Sequence, residues 1–202
     1  MNFLAHAHLS GNDEEIIFGN LIADSVKGDA SLKFSGTILK GITLHRMIDT
    51  FTDSHPVHKH SRDMIREDFG KFSGIVIDIF YDHFLAANWH DFSEVPLKNF
   101  TARVYKILTK RFFILPARSK RILPFMMGQD WLTNYANYEG LDNIFYGMDR
   151  RTGLRSGMKD ATDTLRKNYE NLQKDFFEFY SDLEKYVKPF LDTEKPTDIA
   201  NI

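Results

Sequence analysis

Apolar residues recur along this chain at every third or fourth position, which is the period of an α-helix rather than of a β-strand. Strict alternation of apolar and polar residues is scarce, and the hairpin pairs Asn-Gly and Asp-Gly are absent. The segments with helical spacing are 14–26, 37–51, 73–90, 94–113, 117–136, 141–150 and 158–191. Pro116 separates the fourth from the fifth, and Pro124 is expected to kink the fifth or to mark its start. The pattern therefore predicts an all-α fold.

A further, more polar helix is predicted to begin near Pro56, because proline is favoured in the first turn of a helix. It runs to about Phe69 and consists mostly of charged and polar residues, so we expect it to be exposed. Three histidines fall at its start, and their polar neighbours favour a solvated turn. They are His55, His58 and His60.

The length and composition fit one globular domain. The 202 residues are 43% hydrophobic and 27% charged. We predict a single helical bundle over residues 1–191 and a frayed tail over residues 192–202. No apolar run approaches the roughly 18 residues of a membrane span. The N-terminus lacks a basic signal-peptide region and cysteine is absent, which together favour a cytoplasmic protein.

The most apolar of these segments contains acidic residues. Residues 75–90 read IVIDIFYDHFLAANWH, so that Asp78 and Asp82 lie one helical turn apart on the same face, with His83 beside them. A carboxylate in an apolar helix is costly unless a cation or hydrogen bonds compensate it, and two neighbouring carboxylates also repel each other. A bound metal ion would remove both costs.

Other polar residues also lie among apolar neighbours at helical spacing. Asn20 and Asp24 are one turn apart in GNLIAD, and His45 and Asp49 are one turn apart in GITLHRMID. The first helix, FLAHAHL, adds two histidines. Residues at positions i and i+4 project from one face, so several helices can combine such pairs into one site. The candidate metal ligands are His6, Asp24, His45, Asp49, Asp78 and Asp82.

Each candidate also has a purely structural interpretation. A single histidine on a partly apolar helix is more often a hydrogen-bonded core residue than a ligand, so His8 is set aside. Asp24 could pair with Lys27, and Asp49 could pair with Arg46. Taken together, so many ionisable groups in apolar surroundings favour a functional site.

The candidate ligands indicate the kind of ion and the kind of chemistry. Imidazole and carboxylate groups without sulfur suit manganese, iron or zinc better than calcium. Such an ion lowers the pKa of bound water and polarises a phosphoryl oxygen. Phosphoester hydrolysis is therefore the predicted reaction class, with other metal-assisted hydrolyses as alternatives.

One segment is strongly basic although the whole chain has a formal net charge of −2. No Asp or Glu occurs from Lys98 to Gln129, which predicts a local basic face. Its candidate partner-binding residues are Arg103, Lys106, Lys110, Arg111, Arg118, Lys120 and Arg121. An acidic protein or a phosphate-bearing ligand would fit this face. Nucleic acid is not expected, because the segment has neither the glycine-rich loop nor the stacking aromatics of common RNA modules. A solvated face without a partner is the alternative.

Four ordered motifs resemble those of the acyl carrier protein phosphodiesterases, also called holo-acyl-carrier-protein hydrolases. They are MNFLAH at the start, GNLIAD (19–24), GITLHRMIDTFTDSHP (41–56) and DIFYDHFLAANW (78–89). The resemblance spans nearly the whole first half of the chain, whereas the second half is similar mainly in helical character.

The resemblance implies an all-helical fold related to the HD-type metal-dependent phosphohydrolases, with Mn²⁺ as cofactor and Mg²⁺ or Fe²⁺ as alternatives. It also implies cleavage of the phosphodiester between 4′-phosphopantetheine and a serine of holo-acyl carrier protein, which is a small acidic protein. The HD-type order of a histidine, a His-Asp doublet and a distant aspartate is absent, since the doublet here is reversed as Asp82-His83.

On this hypothesis the catalytic residues are Asp24, Arg46 and His83. Arg46 would stabilise the phosphoryl oxygens, and a protonated His83 would protonate the departing serine oxygen. The first alternative is an HD-like phosphohydrolase that acts on a nucleotide or another small phosphoester. The second is a helical module that only binds an acidic protein. The sequence leaves the oligomeric state open.

Overall fold

The computed structural model describes residues 1–29 and 32–193, and every regular element within them is helical. The helices are α1 (Phe3–His8), α2 (Glu14–Ile22), α3 (Gly36–Ser54), α4 (Pro56–Met64), α5 (Arg66–Phe69), α6 (Ser73–Ala87), α7 (Leu97–Lys110), α8 (Ala117–Gly128), α9 (Trp131–Asn134), α10 (Tyr138–Arg151), α11 (Ala161–Lys167) and α12 (Tyr169–Asp192). The prediction of a single all-α domain is confirmed. The predicted tail lies outside the described residues from position 194 onward. The relationship to HD-type phosphohydrolases stays a prediction.

Local side-chain contacts explain where several helices begin. The carboxylate of Asp13 accepts hydrogen bonds from the Glu15 and Ile16 amides and so caps α2. Asn137 caps α10 in the same way by accepting from the Gly140 amide at 2.8 Å. Pro56 occupies the first position of α4, as its sequence context predicts.

Three predicted helices are interrupted in the structure. The helix predicted from Pro56 to about Phe69 divides into α4 and α5 at Ile65, whose φ of −109° and ψ of 8° leave the helical region. The segment 117–136 divides into α8 and α9 at Asp130, whose φ of 41° lies in the left-handed region. Pro124 lies inside α8 rather than at its start. The segment 158–191 divides at Asn168, whose backbone leaves the helical region and whose side-chain amide donates to the Thr164 carbonyl at 3.0 Å. Asparagine competes for backbone acceptors in this way, which is why it weakens a helix interior.

Helix α6 lies in the middle of the core and contacts α1, α4 and α12. Phe80 and Tyr81 of α6 are fully buried, as are Phe176 and Phe179 of α12. Each such aromatic side chain contributes about 1.5–3 kcal/mol by leaving water. Because α6 is buried on nearly all sides, packing holds it in one position, and the surrounding helices pack against it.

The prediction that the helix after Pro56 is exposed is wrong for its inner face. His58 and Ser61 of α4 are buried, and Ile65, which follows α4, is buried as well. The Ser61 hydroxyl contacts the Tyr81 hydroxyl at 2.8 Å and donates to Asp175 Oδ2 at 2.7 Å. These residues have the spacing of one helical face, but the charged residues between them hide it in the sequence.

Helices α2 and α3 approach each other closely where two glycines meet. A Cβ atom added to Gly19 would collide with the carbonyl oxygen of Ile38, and one added to Gly41 would collide with that of Ile16. Backbone atoms cannot move aside without separating the helices. The missing side chains therefore permit this contact.

We expect Gly41→Ala to lower the free energy of unfolding by about 1–3 kcal/mol, because the methyl group overpacks a backbone contact. Gly147→Ala is the matched control, since Gly147 also lies inside a helix but has open space around its Cβ position. The control should be neutral or stabilising by about 0.5–1 kcal/mol. Urea titration of both variants measures the difference, and equal stabilities would contradict the close approach.

Candidate active site

A cavity of about 410 Å³ lies where α1, α2, α3 and α6 meet the α8–α10 region. We call it the site cavity. One part of its lining consists of polar side chains, and another part is apolar. The polar part contains His6, Asn20, Asp24, His45, Asp49 and Asp78. The structure thus brings five of the six candidate ligands to one cavity.

Three of these residues form a compact group. His6 Nε2 lies 3.3 Å from Asp49 Oδ1, and His45 Nε2 lies 3.1 Å from Asp49 Oδ2. The two imidazole rings are stacked, with centroids 4.1 Å apart and an interplanar angle of 22°. One ligand atom from each of the three residues lies within 4.8 Å of the other two. This arrangement can hold a metal ion.

Asp24 extends the group toward solvent. Its Oδ1 lies 3.2 Å from the same Nε2 of His45, while its side chain is 62% exposed. The carboxylate can therefore contact both the buried group and a molecule that enters the cavity.

Asn20 orients both histidine rings. Its side-chain oxygen accepts from Nδ1 of His6 at 2.8 Å and from Nδ1 of His45 at 3.0 Å. Its side-chain nitrogen donates to the His6 carbonyl and to the Ser10 hydroxyl, which fixes the orientation of the amide. A proton on each Nδ1 leaves each neutral Nε2 free to act as a ligand, as is usual for metal-binding histidines. Asn20 was noted for its spacing from Asp24 but was not among the candidates.

The acidic residues of α6 hold the N-terminal segment in place. Asp82 is fully buried and accepts from the Leu4 amide at 2.8 Å and the Ala5 amide at 3.1 Å. Asp78 Oδ1 lies 3.1 Å from the Met1 ammonium group and 3.1 Å from His58 Nε2. Asp78 lines the site cavity, but Asp82 does not. Within the described residues neither belongs to the group formed by His6, His45 and Asp49.

Burial and partners shift the pKa values of these two carboxylates in opposite directions. Burial raises the pKa of Asp82 to about 7, although the Leu4 and Ala5 amides partly oppose the shift. Burial also acts to raise the pKa of Asp78, but the Met1 ammonium and His58 outweigh it and lower the pKa.

Two predicted catalytic residues lie away from the cavity lining. His83 Nδ1 donates to the Tyr135 carbonyl at 2.8 Å, and the ring stacks on Tyr138. Arg46 is exposed on α3. Neither side chain lines the site cavity. The catalytic roles predicted for His83 and Arg46 stay predictions.

The other histidines divide between core and surface. His8 Nδ1 contacts the Tyr180 hydroxyl at 2.7 Å, so its interpretation as a hydrogen-bonded core residue is confirmed. His58 is only 3% exposed, and its interpretation as part of a solvated turn is wrong. His60 is exposed and contacts Asp175.

Burial and the neighbouring carboxylates give the two stacked histidines different pKa values. Burial lowers the pKa of His6 to about 4, and the charge of His45 adds to this effect. Burial also opposes the protonation of His45, but hydrogen bonds to Asp24 and Asp49 outweigh it and raise the pKa to about 9. In the absence of a metal ion, His45 therefore carries the proton that compensates these carboxylates.

The basic residues of α7 and α8 differ in how far they are already paired. Lys110 and Arg111 lie 3.6 Å and 3.4 Å from Glu14, and Arg103 donates to the Asn12 carbonyl. Lys120 donates to the Phe113 carbonyl rather than to a carboxylate. Among the described residues, no ion pair engages three further members of the basic set. These three, Lys106, Arg118 and Arg121, are exposed.

Comparison with known proteins identifies the family. The sequence model described as acyl carrier protein phosphodiesterase matches residues 1–183. The chain belongs to the acyl carrier protein phosphodiesterase family. The matched residues include every residue that lines the site cavity, so the whole cavity lies within the family domain.

Curated members of the acyl carrier protein phosphodiesterase family are similar over almost the full chain. The protein of that name from Photorhabdus laumondii is 30% identical over 89% of this chain and 91% of its own. The one from Serratia proteamaculans is 28% identical over 93% of this chain and 98% of its own. The one from Shigella boydii is 31% identical over 89% of this chain and 94% of its own. No solved structure matches the chain. None of the described helices is both long and apolar enough to cross a membrane.

We expect the His45 ring of the chelator-treated protein to titrate near pH 9. In Asp49→Asn the midpoint should fall toward 6.5, because the ring loses an anionic hydrogen-bond partner. Since the folded pKa is raised, the stability contributed by this proton is full below pH 6.5 and is lost as the pH rises through 9. The Cε1–H chemical shift followed by NMR measures the midpoint. Asp53→Asn is the control, because Asp53 lines the cavity without an ion pair to His45. An unchanged midpoint in Asp49→Asn would contradict the assignment.

Proposed function

We propose that this protein hydrolyses the phosphodiester that joins 4′-phosphopantetheine to a serine of holo-acyl carrier protein. The products are apo-acyl carrier protein and 4′-phosphopantetheine. The observation that carries the proposal is the convergence of His6, His45 and Asp49 in an open cavity of a chain that belongs to this family. A cytoplasmic location remains part of the proposal.

The donor set fits a divalent cation, and we propose Mn²⁺, as the family resemblance implies. Two imidazole nitrogens and a carboxylate, with no thiolate, suit this class of ion. Asn20 holds both rings with Nδ1 protonated, which directs each Nε2 toward Asp49. When bound, such a cation supplies an acidic water molecule and polarises a phosphoryl oxygen.

The surrounding side chains supply orientation and positive charge. Asp24 is exposed to the cavity beside His45 and can accept a hydrogen bond from the attacking water. Arg118 lines the cavity and has no ion pair within the described part of the chain. Its guanidinium group can bind the phosphoryl oxygens, the role that the sequence had suggested for Arg46.

We propose that the basic residues of α7 and α8 that have no ion pair among the described residues provide a surface for an acidic protein. We define the docking surface as Lys106, Arg118, Lys120 and Arg121, together with exposed aromatic residues of the same region. Phe113 is 90% exposed and Phe125 is 60% exposed. Cationic groups around exposed apolar rings suit a partner with an acidic, partly apolar face. Because Arg118 belongs both to this surface and to the cavity, a bound carrier protein would place its serine near the cavity.

We expect intact mass spectrometry to show loss of the phosphopantetheine mass from holo-carrier protein incubated with this protein and Mn²⁺. His45→Ala and Asp49→Asn should each lower the rate by at least roughly 100-fold, because each removes a ligand. Loss of Mn²⁺ binding in the same variants, measured by electron paramagnetic resonance, links the defect to the ion.

His90→Ala is the matched control, since His90 is 81% exposed and lies outside the cavity lining. It should retain the wild-type rate. Hydrolysis of free nucleotides without loss of mass from the carrier protein would instead support a small-molecule phosphohydrolase. A stable complex that is insensitive to chelator, with no mass change, would support a binding module.

The docking surface predicts a salt-dependent defect in binding. We expect Lys120→Glu combined with Arg121→Glu to raise KM for holo-carrier protein by about tenfold at low salt, since like charges then face the acidic partner. The effect should shrink as salt is added, because exposed charges are screened.

Steady-state kinetics at two ionic strengths measures this prediction. Lys167→Glu combined with Lys174→Glu changes the net charge equally on α11 and α12 and should leave KM near the wild-type value. A similar rise of KM in both double variants would indicate a general charge effect rather than a docking surface.

A further inference from the structure

Helices α9 and α10 and the turn between them form one side of the apolar lining of the site cavity. We call the four residues on this side the arm wall: Trp131, Tyr135, Ile144 and Met148. Other apolar lining residues are Met1, Phe3, Leu21, Ile75 and Ile122. The first three residues of the arm wall are at least nine-tenths buried, and Met148 is half-buried. The indole N–H of Trp131 already donates to Gln129 at 2.8 Å, so no polar group of the ring requires a partner from a ligand.

The cavity is larger than the proposed reaction centre requires. Pockets of roughly 300–1,000 Å³ hold whole small molecules. At about 410 Å³ the site cavity has room for an ion, a phosphoryl group and one flexible organic arm, but not for a folded protein. Only one side of the proposed substrate can therefore enter it.

Arg151 lies beside the arm wall and has no carboxylate partner in the part of the chain that the structure describes. The Arg151 guanidinium lies 5.6 Å from the centroid of the Trp131 ring and lines the cavity. No salt bridge engages it within residues 1–29 and 32–193, and it is exposed. The arm wall offers apolar contact and Arg151 offers hydrogen-bond donors, a combination that suits an arm with both methyl and carbonyl groups.

We propose that the arm wall and Arg151 form the subsite for the pantetheine arm, whereas the serine-bearing protein stays outside the cavity. The inference rests on the proposed function. Pantetheine has geminal methyl groups that can pack against Trp131 and Met148, and amide oxygens that can accept from Arg151. The phosphodiester lies between the two parts of the substrate, beside His6, His45 and Asp49.

This orientation fixes the order in which the products leave. Water adds its oxygen to phosphorus, the bond between phosphorus and the serine oxygen breaks, and that oxygen takes up a proton. The phosphoryl group therefore remains on the arm. Because the arm occupies the cavity, apo-carrier protein leaves first and 4′-phosphopantetheine leaves second. We expect 4′-phosphopantetheine to inhibit competitively against holo-carrier protein, since both bind the free enzyme.

The direct test uses pantetheine, which lacks the phosphate and so reports on the arm subsite alone. Saturation-transfer NMR with the wild-type protein should show contact between the geminal methyl groups and the Trp131 indole. Met148→Trp fills part of the cavity with a larger side chain and should weaken pantetheine binding at least tenfold, as measured by isothermal titration. Met47→Trp is the matched control, since Met47 is half-buried on α3 outside the cavity lining. It should bind pantetheine as the wild type does.

Circular dichroism and Mn²⁺ binding show whether Met148→Trp remains folded, and the wild-type NMR experiment needs no variant. The inference is overturned if pantetheine shows no transfer to Trp131, or if folded Met148→Trp binds it with wild-type affinity. If either result is found but phosphopantetheine is still released from holo-carrier protein, the subsite proposal fails and the proposed function stands. Absence of that release would remove the proposed function, even if pantetheine contacts Trp131.

Discussion

The position of the candidate site depends on a buried carboxylate that does not belong to it. Asp82 of α6 accepts two backbone hydrogen bonds from the first turn of α1. A six-residue helix is too short to be stable by itself, so tertiary contacts must hold α1 in place. The two carboxyl oxygens satisfy amides in the first turn of α1 that have no partner within the helix. Since α1 carries His6, the fixed core helix α6 determines where one of the histidines of the cavity lies.

A second constraint brings α2 and α3 together around Asn20. The contact between Gly19 and Gly41 lets the two backbones approach so closely that the Asn20 amide reaches His45 on the neighbouring helix. The same oxygen also accepts from His6 of α1. The Asn20 amide of α2 therefore holds a side chain of α1 and a side chain of α3 in fixed positions. Because its oxygen accepts from Nδ1 in both histidines, Nδ1 is the protonated nitrogen in each ring. A larger residue at either glycine would separate the helices and disturb the site without contacting it.

The sequence predicted the helices and much of the polar cavity, because both depend on spacing within single elements. His6, Asp24, His45 and Asp49 were found from their apolar surroundings, and the structure brings them together. The same signal could not distinguish a residue that faces an ion from one that anchors the chain. Asp82 has the same sequence context, but its partners are amides almost eighty residues away. His58 was missed because charged neighbours conceal the buried face of α4.

The lining of the site cavity contains both acidic and basic side chains. Asp24, Asp49 and Asp78 converge in the polar part, where the proton on His45 and the Met1 ammonium offset only part of their charge. A phosphodiester is an anion, so these carboxylates would repel it at the short distances of a reaction. A divalent cation between His6, His45 and Asp49 would reverse that repulsion. Arg118 and Arg151, which also line the cavity, would attract the phosphodiester. On the proposed function, a bound cation would therefore favour substrate binding as well as the chemical step.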